Sequence, residues 1–265
     1  YCAMVEKAKK YIYEGVIFQV VLSNRLEADY EGSLLNTYRH LRTINPSPYM
    51  FYFSSDDMEV AGASPETLVK LEDGVLHTFP LAGTKPRGKT QEEDQELERI
   101  LLSDEKEKAE HVMLVDLARN DCGRVSQIGS VKVTEFMRVQ RYSHVMHIVS
   151  LVEGKRHGSC HPLDMVSSFL PAGTLSGAPK IRAMEIIDEL ETVRRGLYGG
   201  ATGYLAFDGN MNFCITIRTM IKKGDKVYLQ AGAGIVADSV PENEYQECCN
   251  KVMALAKTLV EEENL

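Results

Sequence analysis

The sequence predicts an α+β fold, one continuous domain over residues 1–265 with two groups of mostly antiparallel strands and flanking helices. Three observations carry that reading. Short segments of alternating apolar and polar residues are joined by Asp-Asp and Glu-Asp-Gly turns, the pattern of antiparallel meanders. Residues 91–121 and 242–262 switch to helical periodicity, and no low-complexity linker interrupts the chain.

In order, the chain opens on Tyr1 in a helical pattern (Met4, Val5, Ala8, Ile12) that stops at Gly15, which reads as a domain excised from a longer chain. VIFQVVLSNRLEA (16–28) has the β-branched run of a buried strand, and SLLNTYRHLRTI (33–44) is a helix ended by NPSPYM. MFYFSS, EVAGAS, ETLVKLEDG and VLHTFPLAG (50–83) read as four strands of one meander. A long acidic helical pattern covers 91–121. Strands return at 129–142 and 144–155, with a helix near HPLDMVSSFL. Beyond residue 187, strands are expected at ATGYLAFDG, FCITIRTMIKKG and KVYLQAGAGIVAD, followed by the final helix.

Composition narrows the partners. Net charge is −8 with basic residues scattered, which argues against nucleic acid, and no apolar run spans a membrane or opens the chain as a leader. The expected compartment is the cytoplasm. Six cysteines form no metal-type spacing and read as reduced thiols.

Several stretches carry chemistry. PAGTLSGAPKIRAMEII (171–187) runs a small-residue loop into a helix, which suits either an anion cradle or an ordinary helix cap. GTKPRGKT (83–90) matches the phosphate-loop pattern of nucleotide hydrolases. Against it, Pro86 removes an amide from the cradle, Glu92, Glu93 and Asp94 would face the polyphosphate, and VMLVD (112–116) sits in a helical register. Glu107 and Glu110 share one helical face, as do Glu244 and Glu247, so they are either solvated helix ends or carboxylates for Mg²⁺. Arg218 in ITIRT and the glycine turns of QAGAGIVADS and LYGGATGY can receive a carboxylate. His144 and His147, flanking Val-Met in a strand pattern, would point to opposite faces.

SNRL, ASPET, PLAGTKPRG, EHVMLVDLARND, YSHVMHIVS, PAGTLSGAPKIRAMEII, GLYGGATGY, CITIRT, QAGAGIVADS and PENEYQECCNK resemble, in order and spacing, the chorismate-binding enzymes. The resemblance implies two mostly antiparallel sheets packed as a sandwich with flanking helices. Within the family it favours the branch that makes anthranilate from chorismate. It implies that Glu110 and Glu247 hold Mg²⁺ on the ring carboxylate, with Glu107 and Glu244 behind through water. Tyr198, Arg218 and the amides of Gly232, Ala233 and Gly234 would hold the enolpyruvyl carboxylate, and Gly83, Thr84 and Lys251 would complete the pocket. Glu66 is the expected proton donor to the departing hydroxyl, His147 the histidine of pyruvate elimination, and Thr174 a neighbour of the reacting face. Gln19, where water-adding relatives place lysine, and Ala82, where many aminodeoxychorismate synthases place a nucleophilic lysine, favour amination to anthranilate over both. The resemblance further implies ammonia from a glutamine amidotransferase subunit. Pro48, Tyr49 and Met50 would supply half of a tryptophan feedback site, the other half lying in an N-terminal domain outside these residues.

Overall fold

The computed structural model describes residues 1–142 and 145–262. In chain order the elements are α1 (Cys2–Tyr13), β1 (Gln19–Asp29), α2 (Leu34–Ile44), β2 (Tyr49–Ser54), β3 (Met58–Ser64), β4 (Thr67–Glu72), β5 (Val75–Thr78) and β6 (Leu81–Pro86). Then come α3 (Gln91–Ser103), α4 (Glu105–Gly123), β7 (Lys132–Arg141), β8 (Val145–Lys155), α5 (Pro162–Phe169), a 3₁₀ turn at Gly173–Leu175, β9 (Gly177–Ala178) and α6 (Lys180–Leu190). The chain ends with β10 (Ala201–Leu205), β11 (Met211–Ile215), β12 (Thr219–Lys223), β13 (Lys226–Ile235) and α7 (Pro241–Glu262).

Two compact units emerge. Unit 1 comprises Tyr1–Glu66, Thr174–Thr202 and Cys214–Leu265; unit 2 comprises Thr67–Gly173 and Gly203–Phe213. Unit 1 holds a sheet of order β2-β3-β12-β13-β1-β9, antiparallel at each pair. The second sheet runs β10-β11-β4-β5-β8-β6, with β7 also on β8. An α+β fold with two antiparallel sheets is therefore what the chain adopts.

Burial follows the predicted periodicities. The Leu34, Thr37 and Leu41 stripe of α2 is buried, and both leucines join Ala61, Ala63, Met220, Leu229 and Val252 in one core of unit 1. Val5 and Ala8 of α1, with Ala183 and Ile186 of α6, form a second core on Val20, Leu22 and Ile235. Ser33 caps α2 by accepting from Leu35 N, and His161 with Asp164 forms a reciprocal cap on α5. The six cysteines are free thiols, and among the described residues no helix is long and apolar enough to cross a membrane.

The chain departs from the expected elements at four places. The meander over 50–83 is broken after β3, because β3 and β4 belong to different sheets and Pro65–Glu66 carry the chain across. FCITIRTMIKKG is likewise two strands in different sheets, β11 and β12, parted at Thr216–Arg218. The helical pattern over 91–121 is two helices, because Asp104 turns away and accepts from Lys106 N and Glu107 N as the cap of α4. VLHTFPLAG is interrupted at Phe79–Pro80, although β5 and β6 keep one continuous register along β8 up to Ala82.

Candidate active site

In unit 2, the site residues are assembled by a bulge. β6 pairs with β8 through Leu81↔Val149 and Ala82↔Ile148, then slips by one residue so that Thr84 faces His147. Gly83 is the extra residue, at φ +69, a conformation that side chains resist. The slip aims its carbonyl at the imidazole: His147 Nδ1 lies 2.9 Å from Gly83 O and 3.0 Å from Thr84 Oγ1. A carbonyl only accepts, so Nδ1 carries the hydrogen and Nε2 is left as the basic nitrogen. Burial holds the His147 pKa below the usual histidine range, with the Gly83 bond partly opposing it. His147 is thus a neutral imidazole prepared to accept a proton. His144 lies outside the described residues.

The carboxylates Glu107 and Glu110 flank this half on α4, both half-buried. Burial raises the Glu107 pKa, and the charges of Glu110 and Asp104 raise it further, against Lys85 and Lys106. A Cβ on Gly83 would come within 3.2 Å of Glu107 Oε2, which places that carboxylate beside the bulge. Two carboxylates crowded this way suit a hard cation that completes its shell with water and substrate oxygens. Among the described residues no group of three or more His, Cys, Asp or Glu gathers as a ready-made cage. On α7, exposed Glu247 accepts from Lys251 Nζ at 2.5 Å, and a cation there would compete with that ammonium.

Unit 1 assembles its residues at the two places where consecutive strands change sheets. Glu66 ends the segment after β3, and Arg218 precedes β12 at φ +51, a strained position for a side chain of that size. The two breaks clasp each other: Ser64 Oγ donates to Ile215 O (2.6 Å), Ile215 N to Glu66 O (3.0 Å), and Ala63 N to Arg218 O (3.0 Å). Thr174 Oγ1 donates to Glu66 Oε1 at 2.8 Å. Desolvation pushes the Glu66 carboxyl up to about 7, against the Thr174 bond and the charges of Arg218 and Lys251. Glu66 can therefore carry a proton near neutrality.

Pairing of β13 with β12 ends at Leu229, short of Gly232, Ala233 and Gly234, which stand opposite Ser23, Leu22 and Val21 of β1. Arg218 stands where β12 would have continued. Burial lowers the Arg218 pKa, while Tyr198, Glu66 and Glu247 contribute the charges that favour its guanidinium. Tyr198 is buried, and a Cβ on Gly232 would lie 2.8 Å from the backbone Leu22 O and 3.1 Å from the Tyr198 hydroxyl oxygen, which glycine avoids. Lys251 Nζ donates to Gly232 O at 2.9 Å. Gln19 is buried beside Gly234. A cavity of about 290 Å³, lined by Arg25, Arg195, Tyr198, Thr219, Tyr228 and Gln230 among others, adjoins this cluster through Tyr198.

Two of the motifs take definite form in the structure. The loop 171–179 is fastened to β1 through its carbonyls: Gly177–Ala178 is a strand on β1, Phe18 N donates to Ala178 O (2.7 Å) and Val21 N to Ser176 O (2.9 Å). Gly177 is there because a Cβ would lie 2.2 Å from Gln19 O. Thr174 is the loop residue that reaches Glu66. GTKPRGKT is not a phosphate loop, in line with the sequence argument against it: β6 runs through Pro86 and the next amides are engaged by carboxylates, Gly88 N by Asp94 Oδ1 and Lys89 N by Glu93 Oε2, both 2.8 Å. Tyr49 and Met50 open edge strand β2, Met50 against the α2 core and Pro48 exposed before it. Sequence reasoning missed Glu191 and Arg195, a buried ion pair whose Glu-to-Arg spacing of four was the available signal.

The chain belongs to the family described as chorismate binding enzymes, whose pattern matches residues 1–257. It is 61% identical over 261 residues to anthranilate synthase component 1 of Acetivibrio thermocellus, covering 98% of this chain and 53% of that protein. Against the Aquifex aeolicus protein of the same name the identity is 57% over 256 residues, with 97% and 52% covered. Among solved structures, anthranilate synthase component I from Streptococcus pneumoniae superposes with a TM-score of 0.89 at 49% identity, over 96% of this chain and 56% of that one. The menaquinone-specific isochorismate synthase of Escherichia coli gives 0.86 at 29%, over 97% and 59%. The chain spans about half the length of the curated relatives it matches.

Proposed function

We propose that this chain is the catalytic part of an anthranilate synthase component I, a lyase that converts chorismate and ammonia to anthranilate, pyruvate and water in tryptophan biosynthesis. The observation that carries it is the Glu66 carboxyl, held near a pKa of about 7 within reach of Thr174 and in the field of Arg218. Homologue names point the same way.

Arg218, Tyr198 and the Gly232–Gly234 strand hold the enolpyruvyl carboxylate, Arg218 as the charged donor and β13 as a backbone edge. Lys251 keeps the Gly232 carbonyl in place. Gly83 and Thr84 complete the pocket around His147. Glu66 delivers its proton to the C4 hydroxyl, which leaves as water while ammonia adds at C2 and the ring double bonds shift. Thr174 orders the reacting face. His147 Nε2 then removes the C2 proton; the electrons form the aromatic ring and the bond to the enolpyruvyl oxygen breaks, releasing pyruvate. Glu110 and Glu247 are the proposed metal ligands, with Glu107 and Glu244 behind through water, and Mg²⁺ the proposed ion of this divalent-metal family. When bound, the ion supplies positive charge to the ring carboxylate and helps organise the charge of the displacement.

Ammonia would come from a glutamine amidotransferase subunit in the cytoplasm. Tryptophan would act on the longer protein through Pro48, Tyr49 and Met50, and only weakly on these 265 residues. Gln19 and Ala82 support amination to anthranilate over water addition and over a covalent route. The test supplies chorismate, Mg²⁺ and ammonium at mildly alkaline pH, with the product identified by fluorescence and chromatography. Anthranilate is expected. Aminodeoxychorismate alone, or isochorismate, would overturn the assignment.

A further inference from the structure

Glu191 and Arg195 take no part in the chemistry above, yet they join three segments of unit 1 that carry its proposed substrate contacts. Glu191 ends α6 with its side chain 4% exposed, and Arg195 follows four residues on at 16%. Arg195 Nε and Nη2 donate to Glu191 Oε2 (2.9 Å) and Oε1 (2.6 Å), a bidentate grip. Its remaining reach goes to backbone carbonyls, Nη1 to Leu175 O at 2.5 Å and Nη2 to Val21 O at 2.7 Å. Four of the five guanidinium hydrogens are thereby committed. Glu191 Oε1 also accepts from Ser23 N (2.7 Å) and Ser23 Oγ (2.9 Å), and Ser23 Oγ accepts from Gln230 Nε2 (2.7 Å).

Each contact ends next to a site residue. Leu175 follows Thr174. Val21 N donates to Ser176 O while Val21 O accepts from Arg195, so β1 holds the Thr174 segment directly through its amide and, by way of the guanidinium, through its carbonyl. Ser23 stands opposite Gly232 in the β1–β13 register. Arg195 O accepts from Tyr198 N (3.1 Å), and the guanidinium lies 5.7 Å from the centre of the Tyr198 ring.

We infer that Glu191 and Arg195 are positioning residues for this reaction: the pair fixes Thr174, Tyr198 and Gly232 relative to one another, so that chorismate meets them as one surface. The inference rests on the functional reading above. Arginine is required for it, because a lysine ammonium is a single point and cannot grip a carboxylate bidentately while reaching two divergent carbonyls.

The experiment compares Arg195→Lys, Thr174→Val and the double variant in steady-state turnover of chorismate with ammonium, alongside thermal melts and hydrogen exchange. Arg195→Lys is expected to keep a cooperative melt near that of the parent, yet lose roughly tenfold or more in turnover per folded molecule. Its Val21 and Ser23 amides should exchange faster. Adding Thr174→Val should cost little beyond Arg195→Lys alone, since the hydroxyl is already misplaced. If Arg195→Lys recovers stability and turnover together, or if the two losses simply multiply, the pair is a stability element and the inference is overturned. A parent chain that does not turn over chorismate overturns the functional reading and this inference with it; an active parent matched by Arg195→Lys overturns the inference alone.

Discussion

The two units reach their chemistry by different means. Unit 2 keeps one strand register along β8 and inserts a single residue, Gly83, whose carbonyl then fixes the tautomer of His147. Unit 1 instead breaks two strands and places Glu66 and Arg218 at the breaks, locked by reciprocal bonds through Ile215, Ser64 and Ala63. The outcome is also opposite. Burial raises the Glu66 pKa to about 7, letting a carboxyl hold its proton up to neutrality, and lowers that of His147, favouring a neutral imidazole. One unit thus prepares an acid and the other a base, from the same desolvation acting on groups of opposite charge type.

The largest effect that can test this contrast is on the base. His147→Asn should lower anthranilate formation by roughly 10²–10⁴-fold, the usual value of a positioned general base. In the proposed sequence amination does not use His147, so an aminated adduct retaining its enolpyruvyl group should accumulate, visible by chromatography as amine product without pyruvate. Equal loss of amination and elimination would remove His147 from its assigned step.

Glu66→Gln comes next. It should cost on the order of 10²-fold in amination, and it should also change the pH profile. Glu66 donates only when protonated, so turnover at saturating ammonia should fall as pH rises through about 7 in the parent. His147 accepts only when neutral, and its lowered pKa puts the acid-side decline below the ordinary histidine value of about 6.5. Glu66→Gln should flatten the alkaline decline and leave the acid-side one. A profile unchanged in shape would mean that another group supplies the proton.

How much of this was legible follows the same contrast. α2, α5 and α7 are readable from helical patterns, α2 also from the NPSPYM stop that follows it, and β7 and β8 from strand patterns, because those signals are local. The changes of sheet are not. Pro65 divides EVAGAS from ETLVKLEDG without saying that they join different sheets, and CITIRTMIK reads as one strand although it parts at Thr216–Arg218; both are decided by which edge each half can pair with. The residue types of the site were recognisable from their order and spacing, whereas the pKa of Glu66 comes from burial among residues far apart in sequence. Asp104 shows a smaller failure: helical periodicity runs through it, and only its capping bonds reveal the break.

Gly83→Ala tests the bulge with a smaller expected effect. The backbone there is at φ +69, and the new Cβ would meet Leu101 Cδ1 at 3.0 Å and Glu107 Oε2 at 3.2 Å. Strain of this kind costs about 1–3 kcal/mol, so a measurable drop in melting temperature is expected. Relaxing it requires the carbonyl to turn, which releases His147 Nδ1. Elimination should therefore slow more than amination. If both slow alike, the bulge supports the fold without setting the imidazole.

The smallest effect is expected at Lys89, and it separates a matching string from a working site. A phosphate loop would use this lysine as its principal cation, and Lys89→Ala would abolish nucleotide binding. Here the backbone of Gly88 and Lys89 is occupied by Asp94 and Glu93, and Arg87 grips Asp94 bidentately, which holds that carboxyl at a pKa of about 2. An anion approaching these amides would have to displace two carboxylates already bonded to them. Lys89→Ala should change stability by no more than about 0.5 kcal/mol and leave chorismate turnover unaltered. Binding of Mg-ATP by the parent that disappears in this variant would overturn the assignment of 83–90 to a strand and a helix cap.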